Sequence, residues 1–572
     1  MSSLLEFRNF SLHIKDKTIL KNINLRVNQK EIYAVVGESG SGKTMLARSI
    51  LKLNADEYFR TEGEIILDGE DIQRLLEQQM CRLRGKVAGM IFQEPLSYLN
   101  PVMMMRRQLT EPLLKHCGIS RNEASKRMED LLVSLKIKDS KKYMLSYPHE
   151  LSGGMAQRGM IAMASACLPK LVVADEPTSS LDIVTQSSIV KLLKEMAIIN
   201  GISVVFITHD LKLAGSIADR VAVIHRGEVV EEGNPKEVFE NPLSDAAKSL
   251  ITASRLSKSF FADKNIIKED KPIFHISKIN KYFRQKGQSV LRAVDDVDLE
   301  VFEGETLGLL GESGSGKTTL ARLAAGILKP DSGRILYKNQ DIKRLKDYHS
   351  SVQMIFQDPF SSLDPRMTVR DTVAEGPDLL GKIKGKERID MVRCFLERVG
   401  LAPELETRFP HQLSGGQRQR IGIARALIMN PRLLICDEPM AHLDSVSKIQ
   451  ILDLFRKLKK DMKLTYFFIT HDPDILGSIS DRTAVMFRGR IVEVAKSNDI
   501  LLKPLHPYTR LVKAAQEPAD SKEQPDTVNS TVENSGCMFC HACTESIEKC
   551  LSQKPDLVHV EKGHYVACHL YI

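Results

Sequence analysis

The sequence predicts two α/β domains in tandem, each with a largely parallel sheet, and three observations carry that prediction. Gly37-Glu38-Ser39-Gly40-Ser41-Gly42-Lys43-Thr44 is repeated letter for letter at Gly311 to Thr318. Other stretches recur 262 residues apart: Leu151-Ser152-Gly153-Gly154 and Leu413-Ser414-Gly415-Gly416, Asp175-Glu176-Pro177 and Asp437-Glu438-Pro439, Thr208-His209-Asp210 and Thr470-His471-Asp472. Within each half, short and almost wholly apolar runs alternate with helical patterns, as strands buried between crossover helices do. The octapeptides themselves lie 274 residues apart. The difference places extra residues in the first half before Gln93, around Asn54 to Arg60 and Gln73 to Arg84, which is loop variation on one fold.

Taken in order, Ile32 to Val36 and Leu307 to Leu310 are predicted strands that lead into the two octapeptides. Met45 to Arg48 and Thr319 to Arg322 continue from them as helices. The octapeptide fits G-x-x-x-x-G-K-[ST], whose glycines let backbone N–H groups close around phosphate oxygens, whose lysine neutralises phosphate charge and whose hydroxyl ligates Mg²⁺. A phosphate there sits on a helix N-terminus. Leu171 to Ala174, Leu433 to Cys436, Val204 to Ile207 and Tyr466 to Ile469 are further predicted strands. Asp175, Glu176, Asp437, Glu438, His209 and His471 follow them directly, on the edge where open α/β sheets bind ligands.

A chain of 572 residues needs several cores, roughly three to four domains or subdomains. The expected divisions are a first domain over 1–252, a polar, lysine-rich flexible linker over 253–271, a second domain over 272–513, a proline-punctuated linker over 514–535 and a small cysteine-rich segment over 536–572. Lys and Arg number 81 against 73 Asp and Glu, a net +8 without long basic runs, so no nucleic-acid partner is expected. The N-terminus lacks a basic region followed by an apolar core, and no run of about eighteen apolar residues occurs. A cytosolic chain that meets membranes only through partners is the expectation. Five of the ten cysteines crowd into the last segment, where such spacing in a reducing compartment reads as metal rather than disulfide.

Each half resembles the nucleotide-binding domain of ATP-binding-cassette (ABC) proteins, whose motifs follow here in order: the phosphate loop, Gln93 or Gln357, the Leu-Ser-Gly-Gly stretch, the paired acids, Ser180-Leu181-Asp182 or His442-Leu443-Asp444, and His209 or His471. The resemblance implies two such domains in tandem, each with a mainly parallel sheet and a helical subdomain, acting as an ATPase with ATP and Mg²⁺. Phosphoryl transfer to water asks a site to hold the γ-phosphate, spread its charge and orient one water. Gly37, Ser39, Gly40, Gly42 and Lys43, and Gly311, Ser313, Gly314, Gly316, Lys317 and Thr319, would then hold phosphates. Thr44, Gln93, Thr318 and Gln357 would meet Mg²⁺, supported by Asp175 and Asp437, while Glu176 and Glu438 polarise the attacking water and His209 and His471 sense the γ-phosphate. Ser152-Gly153-Gly154 and Ser414-Gly415-Gly416 would complete the site of the opposite domain, giving a pseudo-dimer within one chain. Phe283, or its neighbour Tyr282, matches the family's base-stacking aromatic; the aligned residue in the first half is Ile14. Met155 stands for the usual Gln, and Met440, Ala441 and His442 also depart from the pattern, so two hydrolytic sites of unequal rate are expected.

Phe92 to Pro101, Phe356 to Pro365 and His506 to Leu511 narrow the resemblance to ATPases of bacterial dipeptide, oligopeptide and nickel importers. That branch implies two integral membrane permeases, an extracytoplasmic solute-binding protein acting through them, and a peripheral place on the cytoplasmic face of the inner membrane. Its cysteine tail matches Cys537, Cys543, Cys550 and Cys568, with Cys540 extra. Four thiolates suit a [4Fe–4S] cluster or tetrahedral Zn²⁺, and a metal-free reduced tail is the third reading. The rival functions are a soluble double-cassette ATPase acting on the ribosome and a regulator that only binds ATP. Ribosome-acting relatives carry cysteines before the first cassette or a long charged connector, and the retained Glu176 and Glu438 disfavour the regulator.

Overall fold

The computed structural model describes residues 3–54, 58–179, 181–256, 271–284, 290–358, 362–381, 384–441, 443–515, 536–561 and 563–572. Most of both predicted linkers, Ser180, His442, residues 55–57 of the first-half insertion and residues 359–361 lie outside the described residues. The chain divides into two compact units, the main body of the first ending at Ser254.

In the first unit come β1 (Ser3–Ile14), β2 (Lys17–Asn28), β3 (Ile32–Val36), α1 (Lys43–Ile50), β4 (Phe59–Leu67) and β5 (Glu70–Asp71). They are followed by β6 (Ala88–Ile91), α2 (Met105–Cys117), α3 (Gly153–Ser165), β7 (Leu171–Asp175), β8 (Ser203–Thr208), β9 (Arg220–His225) and β10 (Glu228–Gly233). One sheet has the order β10-β9-β3-β8-β7-β6 and is parallel except for β10. Both its faces are covered, which is why its strands read as unbroken apolar runs. Tyr33 and Val35 of β3 pack with Leu46 and Ile50 of α1, whereas Ala34 and Val36 pack with Leu211 and Val238 on the other face. Between β6 and β7 the helical layer shares one core with the sheet, Leu109 and Leu113 of α2 and Met160 and Ile161 of α3 meeting Val172 and Val204.

The expectation of one largely parallel sheet per domain needs a correction. A second, antiparallel sheet, β2-β1-β4-β5, packs in the first unit. Its alternation is hidden in the sequence by irregularities: the β1–β2 register shifts between Phe7 and Phe10, and Asn9 and Asn22 take positive φ of 46° and 45°. Such bulges displace the two-residue period.

The second unit repeats the plan with β11 (Phe274–Phe283), β12 (Leu291–Val301), β13 (Thr306–Leu310), α4 (Lys317–Ala324), β14 (Ser332–Tyr337), β15 (Gln340–Asp341) and β16 (Val352–Ile355). Then follow α5 (Val369–Leu379), α6 (Gly415–Leu427), β17 (Leu433–Asp437), β18 (Thr465–Thr470), β19 (Arg482–Phe487), β20 (Arg490–Lys496) and α7 (Pro507–Ala514). Here the main sheet has eight strands because the cysteine-rich segment adds β21 (Val558–Glu561) and β22 (His564–Val566) beside β20. Val494 faces Tyr565 and Glu493 faces Val566 across that antiparallel junction. The edge that β10 leaves in the first unit is thus covered in the second.

A buried polar knot fastens the added strands. Glu493, wholly buried, accepts hydrogen bonds from the Leu505 N–H at 2.7 Å, the His506 N–H at 3.1 Å and His564 Nε2 at 2.8 Å. Phe539 packs against Phe487, Tyr508 and His506, with ring centroids 5.5, 5.7 and 6.0 Å apart. Burial pushes His506 down to about 4, partly opposed by Glu493, and its Nδ1 accepts the Tyr508 N–H at 3.0 Å. Because the folded state disfavours the protonated ring, the unfolded chain binds the extra proton between the ordinary pH of about 6.5 and about 4. Stability from His506 is therefore full above about pH 6.5 and lost as pH falls toward 4, by about 3 kcal/mol. Urea unfolding followed by circular dichroism should show that loss in the native protein and a flatter profile in His506→Gln; equal slopes would refute it.

Candidate active site

Each phosphate loop joins the end of a buried parallel strand to a helix, β3 to α1 and β13 to α4. The glycines are demanded by space. A Cβ at Gly37 would stand 2.3 Å from the Ile224 carbonyl oxygen and one at Gly311 2.4 Å from that of Met486, while Gly42 and Gly316 both take φ of 106°, where side chains are strained. Lys43 and Lys317 are buried and fold back on their own loops, Lys43 Nζ donating to the Gly37 and Glu38 carbonyls at 2.9 and 2.7 Å, Lys317 Nζ to those of Gly311 and Glu312 at 2.8 and 2.7 Å.

Around each loop the expected side chains converge within one unit. Thr44 Oγ1 donates to Asp175 Oδ1 at 3.4 Å, and Thr318 Oγ1 to Asp437 Oδ1 at 3.2 Å. Burial, reinforced by the adjacent Glu176 or Glu438, pushes Asp175 and Asp437 each up to about 6 against the pull of the threonine hydroxyl. A buried carboxylate so poorly compensated, beside a hydroxyl, is a donor set that suits a hard cation such as Mg²⁺. Gln93 Nε2 donates to Glu176 Oε2 at 3.1 Å and Gln357 Nε2 to Glu438 Oε2 at 3.3 Å. His209 Nδ1 lies 3.3 Å from Glu176 Oε1, His471 Nδ1 3.1 Å from Glu438 Oε2. Lys317 Nζ also stands 3.8 Å from Glu438 Oε1.

Both glutamates are held in the left-handed region, with φ of 45° at Glu176 and 44° at Glu438. Their N–H groups donate to Ile207 and Ile469, extending the parallel ladder by one residue. Strain of this kind in a long side chain is a feature of functional sites. The same conformation recurs at Leu168 and Asn430 and at Arg226 and Arg488, so its recurrence belongs to the shared fold; what sets the glutamates apart is their place at the ends of β7 and β17.

Ser152 caps α3 and Ser414 caps α6, each accepting from a backbone N–H at 3.3 Å. Gln417 returns a bond to the Ser414 N–H at 3.0 Å, closing a capping box that Met155 has no oxygen to make. Phe283 is 38% exposed, with Lys281 Nζ 5.7 Å from its centroid. Ile14 lies opposite Phe59 at the end of β1.

Three residues escaped the reading of the sequence. The hydroxyls of Ser41 and Ser315 are buried inside the loops without a hydrogen-bond partner, although the motif treats both positions as variable. Tyr508, fully buried, accepts the Glu312 N–H at 3.1 Å and so buttresses the second phosphate loop from behind. Its signal was the His506-Pro507-Tyr508 stretch.

A family model described as ABC transporter matches residues 20–179 and 294–441, over half the chain. The chain belongs to the ABC transporter family. A second model, for the C-terminal region of oligopeptide/dipeptide transporters, matches residues 492–550 of this ABC chain. It is 36% identical over 603 aligned residues to the glutathione import ATP-binding protein GsiA of Salmonella paratyphi A, covering 98% of this chain and 95% of that protein. It is 37% identical over 549 residues to GsiA of Escherichia coli O157:H7, covering 89% and 88%. Against the peptidoglycan transport ATP-binding protein YejF of Agrobacterium fabrum the identity is 40% over 494 residues, covering 85% and 90%. The chain is thus an ABC-type ATPase.

The cysteine tail differs from its expectation. Among the described residues, no group of three or more His, Cys, Asp or Glu side chains is arranged to hold a metal ion. None of the ten cysteines is joined in a disulfide. Burial raises Cys537 to about 11, with further upward contributions from Cys550, Cys540 and Cys568, so these sulfurs stand within electrostatic reach of one another without forming a ligand set.

Proposed function

We propose that this chain energises an ABC importer of the peptide class, hydrolysing ATP at two sites while membrane-embedded permeases carry the cargo. The observation that supports this most is the pair of matched sites, each with a buried Lys, a Thr–Asp pair and a strained Glu held by Gln and His, in a chain that also matches the oligopeptide/dipeptide C-terminal region. Peptides, glutathione-like tripeptides, nickel and metallophores are the candidate cargo, delivered by a solute-binding protein. Among the described residues no helix is long and apolar enough to cross a membrane, in keeping with a peripheral subunit on the cytoplasmic face. Copurification with permeases, followed by identification of what the associated binding protein holds, tests the reading; recovery with ribosomes instead would overturn it.

In the mechanism, Lys43 and Lys317 exchange their loop carbonyls for phosphate oxygens; Thr44 with Asp175, and Thr318 with Asp437, would hold Mg²⁺, which would supply positive charge against the phosphates. Glu176 and Glu438 accept a proton from the attacking water. Gln93 and Gln357 orient those carboxylates, and His209 and His471 fix them from the other side. The family's arrangement would have Ser152-Gly153-Gly154 and Ser414-Gly415-Gly416 each complete the site of the other cassette, which would pair Lys43 with Ser414 and Lys317 with Ser152. With Glu438→Gln silencing one site, Ser414→Ala should lower the remaining turnover about tenfold, a loss of about 1.4 kcal/mol in transition-state stabilisation, whereas Ser152→Ala should leave it nearly unchanged. The reverse pattern would sink the crossed arrangement.

The two sites are expected to turn over at unequal rates. Position 246, matched to Tyr508 at the 262-residue spacing, is alanine, so the first loop lacks that buttress, and Met155 lacks the return bond of Gln417. Cys537, Cys543, Cys550 and Cys568 would have to be drawn together into a ligand set to hold a [4Fe–4S] cluster, with Zn²⁺ the alternative and Cys540 spare; either group would favour the thiolate that burial disfavours at Cys537. Iron and zinc analysis with visible absorbance of anaerobically purified protein should find one of them, and finding neither would defeat the assignment.

A further inference from the structure

Among the described residues outside the phosphate loops and the C-terminal segment, two cysteine side chains stand together. Cys117 is the last residue of α2, and Cys167 lies two residues beyond the end of α3. Their Sγ atoms are 3.8 Å apart. Cys117 is exposed and Cys167 partly buried, its Sγ 3.5 Å from the Pro112 carbonyl oxygen. Packing does not demand a thiol here: in the second unit the matching helix ends at Leu379, followed by Leu380, and the residue 262 positions after Cys167 is Met429, a thioether.

We propose that Cys117 and Cys167 form a thiol–disulfide modification site, closed by small-molecule disulfides and reopened by thiols. A disulfide needs sulfurs about 2.05 Å apart, so the pair must close by rotation about its Cα–Cβ bonds. The exposed Cys117 thiolate attacks one sulfur of the small disulfide, whose S–S bond breaks and releases one thiolate. Burial and the neighbouring Cys117 push the Cys167 thiol up to about 12; once Cys117 is a mixed disulfide, its charge no longer opposes ionisation of Cys167. Cys167 then gives its proton to solvent, attacks the Cys117 sulfur and expels the second thiolate. The two protein thiols are oxidised and one small disulfide is reduced to two thiols.

Closed, the bond spans 50 residues of chain that include Leu151-Ser152-Gly153-Gly154. It ties the C-terminal ends of α2 and α3, which already share a core through Leu113 and Met160.

Full-length protein is incubated with oxidised glutathione under native conditions, alkylated, digested and mapped by mass spectrometry. A peptide pair joined through Cys117 and Cys167, in at least tenfold excess over the glutathione adduct of Cys117 and lost on adding dithiothreitol, is expected. In Cys167→Ser the adduct on Cys117 should accumulate instead, with ATP turnover of the reduced protein unchanged. The proposal is overturned if native wild-type protein keeps the adduct while Cys167 remains free, or if the joined pair forms only in denaturant. Mapping separates this bond from any involving Cys537 to Cys568.

Discussion

Glu438→Gln is expected to lower hydrolysis at the second site about 100-fold or more while ATP still binds there, so that total turnover falls to what the first site supplies. General-base catalysis is worth roughly two to four orders of magnitude, and the amide keeps the shape of the carboxylate but cannot accept a proton from water. The surroundings argue that the loss is chemical and not structural. Glu438 meets Gln357, His471 and Lys317 through its two carboxylate oxygens, and its backbone is fixed by the bond to Ile469. Glutamine can keep its amide oxygen as the acceptor toward Gln357 and His471, its amide nitrogen taking the Oε1 place near Lys317. Glu176→Gln, held by Gln93 and His209 in the same way, should also lower turnover, by a different factor. Steady-state phosphate release and nucleotide binding measured on each variant decide the matter. If one substitution abolishes turnover and the other leaves it untouched, the reading of two hydrolytic sites is wrong.

Glu493→Ala is the second large effect, this one on stability. The substitution removes the acceptor for the Leu505 and His506 N–H groups and for His564 at once, and each buried donor left unpaired costs about 1 to 3 kcal/mol. A loss of about 3 kcal/mol or more in the second unit follows, together with release of β22 from β20. His564→Ala should do less harm, because Glu493 keeps two backbone donors. Urea midpoints by circular dichroism, with proteolytic release of the C-terminal segment as the second readout, test this. A midpoint within error of the native protein would show that the knot contributes nothing.

What could be read from the sequence followed from how local each signal is. The phosphate loops, the paired acids and the histidines are fixed by short motifs at the ends of strands whose apolar runs identify them, so the convergence of Lys43, Thr44, Asp175, Glu176 and His209 was foreseeable. The antiparallel sheet was not, because bulges at Asn9 and Asn22 break its period. Pairing of β22 with β20 depends on partners over seventy residues apart, Glu493 and His564, and no local pattern announces it. Motif logic also passes over Ser41 and Ser315, since it records which positions vary and not which are buried. The substitution of Met155 for glutamine was legible as a residue, but the missing return bond at the start of α3 needed the geometry beside Gln417.

Tyr508 gives the second phosphate loop a dependence on the order in which the chain is made. Its hydroxyl backs the Glu312 N–H, and its ring is in turn packed by Phe539, which emerges from the ribosome last of the three. During synthesis the loop at Gly311 is therefore made well before its backing, whereas the first cassette, with alanine at position 246, waits for no such partner.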